Sequence, residues 1–175
     1  ACCQLASSSL RVTVSSINAI KPIASAAVCA TDALRRRDQL ASATLITAPR
    51  AALTADSMAD SADFFSFDMN ALTLHSFGYD LNEWNACLPA YLNEKLLAAD
   101  PFRHLDATGA GQLLEMAVRK GRDAKPDLKC GVCGEQCGDP NSIRFLHKAG
   151  IQYVSCSPCR APIARLAAAQ AALKK

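Results

Sequence analysis

The sequence predicts an α/β fold of parallel β/α units, and three observations carry that expectation. Short apolar runs alternate with stretches of helical periodicity from about residue 43 onward. Most of these runs are bounded by the turn and cap residues that delimit buried strands. Half of the 175 residues are apolar, enough for one ordinary domain with a real core.

Taken in order, Ala43-Thr-Leu-Ile-Thr47 reads as a buried strand, and Pro49 suits the first position of a helix running through Ala51, Leu53 and Met58. Asp63-Phe-Phe-Ser-Phe67 is the next strand, rich in β-favouring aromatics. A polar, glycine-containing loop is expected after it, then helices near 89–98 and 108–122. The second of these places Leu113, Leu114, Ala117 and Val118 on one face. Leu128-Lys-Cys-Gly-Val-Cys133 is a strand. Asp139-Pro140 pairs a capping residue with a first-turn proline, opening a helix that stops at Gly150. Ile151-Gln-Tyr-Val-Ser-Cys156 is the last strand, and an alanine-rich helix runs from Pro162 to Lys175. No strand is expected before residue 40, and four strands cannot close a barrel alone.

Composition bounds the function. The net charge of +3 is mild and the basic residues are scattered, apart from Arg35-Arg-Arg37 beside Asp38, so no nucleic-acid surface is expected. That triplet reads as a solvated helix face or turn. No apolar run approaches the roughly 18 residues of a membrane span. Nine cysteines, an odd number, with no visible secretory signal point to reduced thiols in an intracellular compartment, the cytoplasm or an organelle such as a plastid or mitochondrion. Residues 1–31 lack acids and are rich in Ser and Ala, a transit-like composition whose alternative is ordinary helix and loop sequence. We therefore expect an N-terminal extension over 1–40 and a domain over 41–175.

Five cysteines lie between residues 130 and 159: Cys130, Cys133, Cys137, Cys156 and Cys159. Zinc, a redox pair and the surroundings of one catalytic thiol are the three readings. Two Cys-x-x-Cys pairs separated by twenty-two residues have a spacer slightly longer than usual for zinc. On a strand, Cys130 and Cys133 would face opposite ways about 10 Å apart. Zinc–sulfur bonds of about 2.3 Å need the sulfurs much closer together. No zinc is expected. His75 in a loop, His104 beside Asp106 and His147 on a helix face read as surface or capping residues.

Several segments resemble one family. Pro49-Arg-Ala-Ala-Leu-Thr-Ala-Asp56, Ala62-Asp-Phe-Phe-Ser-Phe67, Asp100-Pro-Phe, Cys133-Gly-Glu, Gly138-Asp-Pro140, His147-Lys-Ala-Gly150, Tyr153-Val-Ser-Cys-Ser-Pro158 and Pro162-Ile-Ala-Arg-Leu-Ala-Ala-Ala-Gln170 are similar, in order, to the C-terminal end of pyruvate, phosphate dikinase. The resemblance covers about residues 43–175. It implies the C-terminal portion of a parallel (β/α)8, TIM-like barrel, incomplete on its own, from a domain that interconverts phosphoenolpyruvate and pyruvate. In that family a swivelling phosphohistidine domain delivers the phosphoryl group from an ATP-binding domain. Neither has a counterpart in these residues, nor do the arginines of the early barrel strands, so this chain alone is not expected to run the full reaction.

By the same resemblance Cys133 is the catalytic proton donor and acceptor, with Asn70, Gly134 and Glu135 binding substrate. A thiol serves both roles only if its neighbours tune its pKa. The family's two Mg²⁺ carboxylates fall at Thr47 and Ala71, which carry none. Mg²⁺ takes oxygen ligands and stabilises an enolate as a Lewis acid. No metal and no other cofactor is therefore expected in this chain. Asp68, in place of a family glycine, is the carboxylate that could substitute. Gln136 stands where the family has histidine and cannot shuttle a proton. The resemblance thus implies a phosphoenolpyruvate/pyruvate-binding segment of a dikinase-like phosphotransferase, inactive as this chain. The alternative is a degenerate domain retained as a structural or assembly subunit. Expected partners are the remainder of a dikinase-like chain or other subunits covering the open strand edge, with a homodimer as the conservative case.

Overall fold

The computed structural model describes residues 11–14 and 42–173. Five parallel strands form one sheet in the order β1-β5-β4-β3-β2. They are β1 (Arg11–Val14), β2 (Ala43–Ile46), β3 (Phe64–Asp68), β4 (Lys129–Cys133) and β5 (Tyr153–Cys156). Between β2 and β3 lie α1 (Pro49–Leu53) and α2 (Ala55–Ala59). Between β3 and β4 lie α3 (Met69–Phe77), α4 (Leu81–Asn93) and α5 (Ala110–Ala124). A 3-10 turn (Glu135–Gly138) and α6 (Pro140–Lys148) join β4 to β5, and α7 (Ala161–Leu173) follows β5 after a short 3-10 turn. Parallel strands joined by helical crossovers agree with part of a β/α barrel, and among the described residues β1 and β2 lie at the edges of the sheet.

Alternation along each strand gives the sheet two unlike faces. Ile46, Phe67, Val132 and Val154 are register partners in turn across the sheet, and none has any exposed surface. This row packs with Phe65 and Cys130 into one core with Ala52, Ala55, Ala59, Leu114 and Ala117 of the helices. The alanines let α2 lie close against α5. The other face carries Ser66, Gly131 and Tyr153 in one row and Asp68, Cys133 and Ser155 in the next. It is polar and, apart from Gly131, half-buried.

Four expectations are corrected. A strand exists before residue 40: Arg11-Val-Thr-Val14 pairs with β5. It is too short to stand out, and its partner lies some 140 residues away in the chain. The rest of the expected extension, including Arg35–Arg37, lies outside the described residues, as do Lys174 and Lys175. The polar loop expected after β3 is instead α3 and the start of α4. The helix expected near 89–98 is α4, which starts eight residues before Pro89 at a capping box between Asp80 and Glu83 and ends at Asn93. The helix expected over 49–58 is two short helices meeting at Thr54.

Phe67→Ala should empty the centre of the buried row and destabilise the chain by about 3–5 kcal/mol, the range for a fully buried phenylalanine. Urea denaturation would register this as a lowered midpoint with unchanged slope, and a loss under 1 kcal/mol would contradict the packing described.

Candidate active site

β3 and β4 end level with one another, Asp68 beside Cys133. Chain direction reverses the same way at every strand end of a parallel sheet, so the loops that follow gather there. Thr47 follows β2, Asp68 closes β3, Cys133 closes β4 and Ser155 is next to last in β5. Thr47 stands two strands from Cys133, about 10 Å by strand spacing.

Asp68 is the first organising group. Its Oδ1 accepts the backbone N–H groups of Asn70 and Ala71, both at 3.1 Å, and so caps α3. Asn70 is thereby held against Gly134. A Cβ added at Gly134 would meet Gln136 Oε1 at 2.6 Å and Asn70 Oδ1 at 3.2 Å, and its φ of 144° belongs to glycine. Asn70 Oδ1 and Gln136 Oε1 are buried without a hydrogen-bond partner among the described residues.

Gln136 is 1% exposed, and its Nε2 donates to the Pro101 carbonyl at 3.0 Å. Two further contacts hold the same loop down. His104 Nδ1 lies 3.2 Å from Asp139 Oδ1, and the Leu105 N–H donates to Ser142 Oγ at 3.0 Å. Asp139 also caps α6 through the Ser142 N–H at 2.8 Å. The 100–105 loop is therefore strapped across the start of α6, beside the turn that follows Cys133.

The Cys133 thiol donates to the Phe67 carbonyl at 3.5 Å, a bond only the protonated form can make. Burial, and after it the charge of Asp68, push this thiol up to about 12, against the pull of its own backbone and of Ser66. At neutral pH the group is therefore a neutral thiol, a proton donor and a poor base. Burial likewise pushes Tyr153, on the same face, up to about 12.

The structure brings Cys133, Gly134 and Asn70 together. Glu135 turns outward to solvent, with its charge felt at Cys137 and Cys156. The Ala71 methyl supplies no ligand oxygen, and its N–H is bonded to Asp68. The Thr47 carbonyl accepts from Nδ1 of His75, at 2.8 Å; His75 lies in α3 and not in a loop. The five clustered cysteines separate. Cys130 faces the helices and is pushed up to about 11 by burial. Cys137 is fully buried and raised further, Cys156 joins the core, and Cys159 is exposed. Among the described residues all six cysteines are free, and no three His, Cys, Asp or Glu side chains gather to hold a metal. No helix there is long and apolar enough to cross a membrane.

Sequence reasoning missed the cap made by Asp68 and the strap over Gln136. The first had a signal, an aspartate two and three residues before the amides it binds. The second had none, because Pro101 and Gln136 meet only in space.

Labelling with iodoacetamide, followed by peptide mass spectrometry, should modify exposed Cys159 at pH 8 and leave Cys133 unmodified until well above pH 9. Asp68→Asn keeps a capping oxygen but removes the charge, so Cys133 should label faster at each pH. Equal labelling of Cys133 and Cys159 at pH 8 would contradict the assignment. Because an unfolded thiol titrates near 9 and this one near 12, the thiol's contribution to stability is full below pH 9 and declines as pH rises between them.

The family described as PEP-utilising enzyme, PEP-binding domain, matches residues 12–173, so the match takes in β1 as well as the region from 43 onward. Pyruvate, phosphate dikinase of Clostridium symbiosum is 58% identical over 130 residues, 74% of this chain and 15% of that protein. The chloroplastic pyruvate, phosphate dikinase 1 of Arabidopsis thaliana is 56% identical over 127 residues, 73% of this chain and 13% of that protein. The Rickettsia prowazekii pyruvate, phosphate dikinase is 48% identical over 132 residues, 75% and 15% of the two chains. The matched region spans about 13–15% of the length of these curated relatives. The strand-end site, the parallel β/α order and these matches agree, and the chain belongs to the family of PEP-utilising enzymes through their PEP-binding domain.

Proposed function

We propose that this chain is a phosphoenolpyruvate/pyruvate-binding part of a dikinase-like phosphotransferase that does not turn substrate over on its own. One observation carries the reading. Asp68, the carboxylate at the end of β3, already uses Oδ1 to start α3, while Thr47 and Ala71 supply no carboxylate. This donor set does not fit Mg²⁺ as the family holds it, because a hard cation calls for carboxylate and water oxygens in a near-octahedral shell. No step through a metal follows.

What the chain's own residues can do is narrower. Asn70 and Gly134 form a polar wall, and Cys133 beside them holds a proton. A thiol near 12 suits delivery of its proton to the carbon of a bound enolate and not removal of a proton from carbon at neutral pH. Gln136, fixed to Pro101, offers no second proton carrier.

Calorimetry with oxalate, an enolate mimic, tests this. The natural chain should give no Mg²⁺-dependent heat at millimolar concentrations, whereas Thr47→Glu with Ala71→Asp and Asp68→Gly should restore it. Mg²⁺-dependent oxalate binding by the natural chain would overturn the proposal.

A second reading, a subunit kept for assembly, has its own observation. Among the described residues β2 is an edge strand paired only with β3, and Leu45 is 37% exposed there. On that reading the isolated chain should self-associate or aggregate in light scattering unless a partner is co-expressed, and a monodisperse monomer at all concentrations would refute it. The chloroplastic relatives make a plastid one possible setting.

A further inference from the structure

The outer wall of the domain holds a cavity that the strand-end site does not use. It is a groove open to solvent between α5 and α6, with a volume of about 580 Å³. Arg119, Arg122 and Lys148 line it with Glu115, and half-buried Met116 supplies apolar surface. The groove runs along α5 from Gln112 to Arg122 and meets the C-terminal end of α6 at Lys148; the two helices lead into the starts of β4 and β5. Cys133 is at the far end of β4.

Arg119 and Arg122 are three residues apart on α5 and so share a face. Arg122 is placed in advance: its Nη2 donates to the Gly150 carbonyl at 2.5 Å, and the guanidinium lies where a side chain at Gly150 would stand. Gly150 has φ of 80° and can be bare there. The guanidinium keeps further N–H donors for a ligand. Arg119 and Lys148 are exposed, and among the described residues none of the three cations makes an ion pair. Three cations face one carboxylate, Glu115, leaving an excess of two positive charges. That excess matches a phosphate group near its second ionisation, and planar guanidinium pairs are suited to its oxygens.

From this juxtaposition we infer that the groove between α5 and α6 is a binding site for a phosphate monoester with an apolar body, the phosphate on the two arginines and Lys148 and the body against Met116. It does not depend on the strand-end site being active. Phenyl phosphate is the probe, titrated into the full chain by calorimetry or by chemical shift. Saturable binding is expected, at least tenfold weaker for Arg119→Gln with Lys148→Gln and unchanged for Cys133→Ser. Both substituted basic residues are exposed, so the thermal midpoint should stay put; if the double variant fails to fold, Lys148→Gln alone serves and should still weaken binding. Benzoate should bind more weakly than phenyl phosphate. Unchanged affinity in the variants, equal binding of benzoate, loss of binding in Cys133→Ser, or no saturation at millimolar probe would each overturn the assignment.

Discussion

The two hydrogen bonds that Asp68 Oδ1 accepts from Asn70 and Ala71 hold the working end of this domain in place. They end β3 and begin α3 within one residue, so the chain turns sharply at the lip of the sheet. Without an acceptor there, the first amides of α3 would be left half-buried and unpaired, a penalty of about 1 kcal/mol for a lost cap. The same carboxylate stands beside Cys133 through strand register and helps keep its thiol protonated. Helix start, position of Asn70 and state of the thiol are thus coupled through one side chain.

That coupling sets the chemistry apart from what a metal-centred site would offer. A carboxylate engaged by two amides is a fixed part of the backbone architecture, with less freedom to move toward a cation. Nearby, Gln136 is fixed by Pro101, and the loop carrying Pro101 is fixed in turn by Asp139 and Ser142 at the start of α6. Polar groups here are tied to one another and shielded by the loop. That arrangement is the basis of the proposed reading, in which the site holds and protonates a ligand and does not cycle protons in both directions.

Much of the fold was legible in the residues because local physics and tertiary packing agree. Phe64 to Phe67, Val132 and Val154 are β-favouring residues whose helix-facing positions are apolar, and Leu114, Ala117 and Val118 mark the buried stripe of α5. α3 was not legible: Met69, Leu72, Thr73 and Phe77 leave no clean polar face, so no period shows. The start of α4 was legible in Asp80 and Glu83, a capping pair eight residues ahead of the helix expected near 89–98. β1 depends on a partner distant in the chain, and four alternating residues carry too little pattern to predict it.

For the site, residue identity settled which atoms are present: a thiol at 133, no carboxylate at 47 or 71, glutamine at 136. Those are properties of side chains and need no coordinates. The opposite facing of Cys130 and Cys133 also followed from the two-residue period of a strand. Folding alone settled where charge and burial fall. The proton on Cys133, the engagement of Asp68, the pinning of Gln136 and the convergence of Arg119, Arg122 and Lys148 arise from groups that meet in three dimensions. Burial and short-range electrostatics depend on distance, and distance between remote residues is not written in their order along the chain.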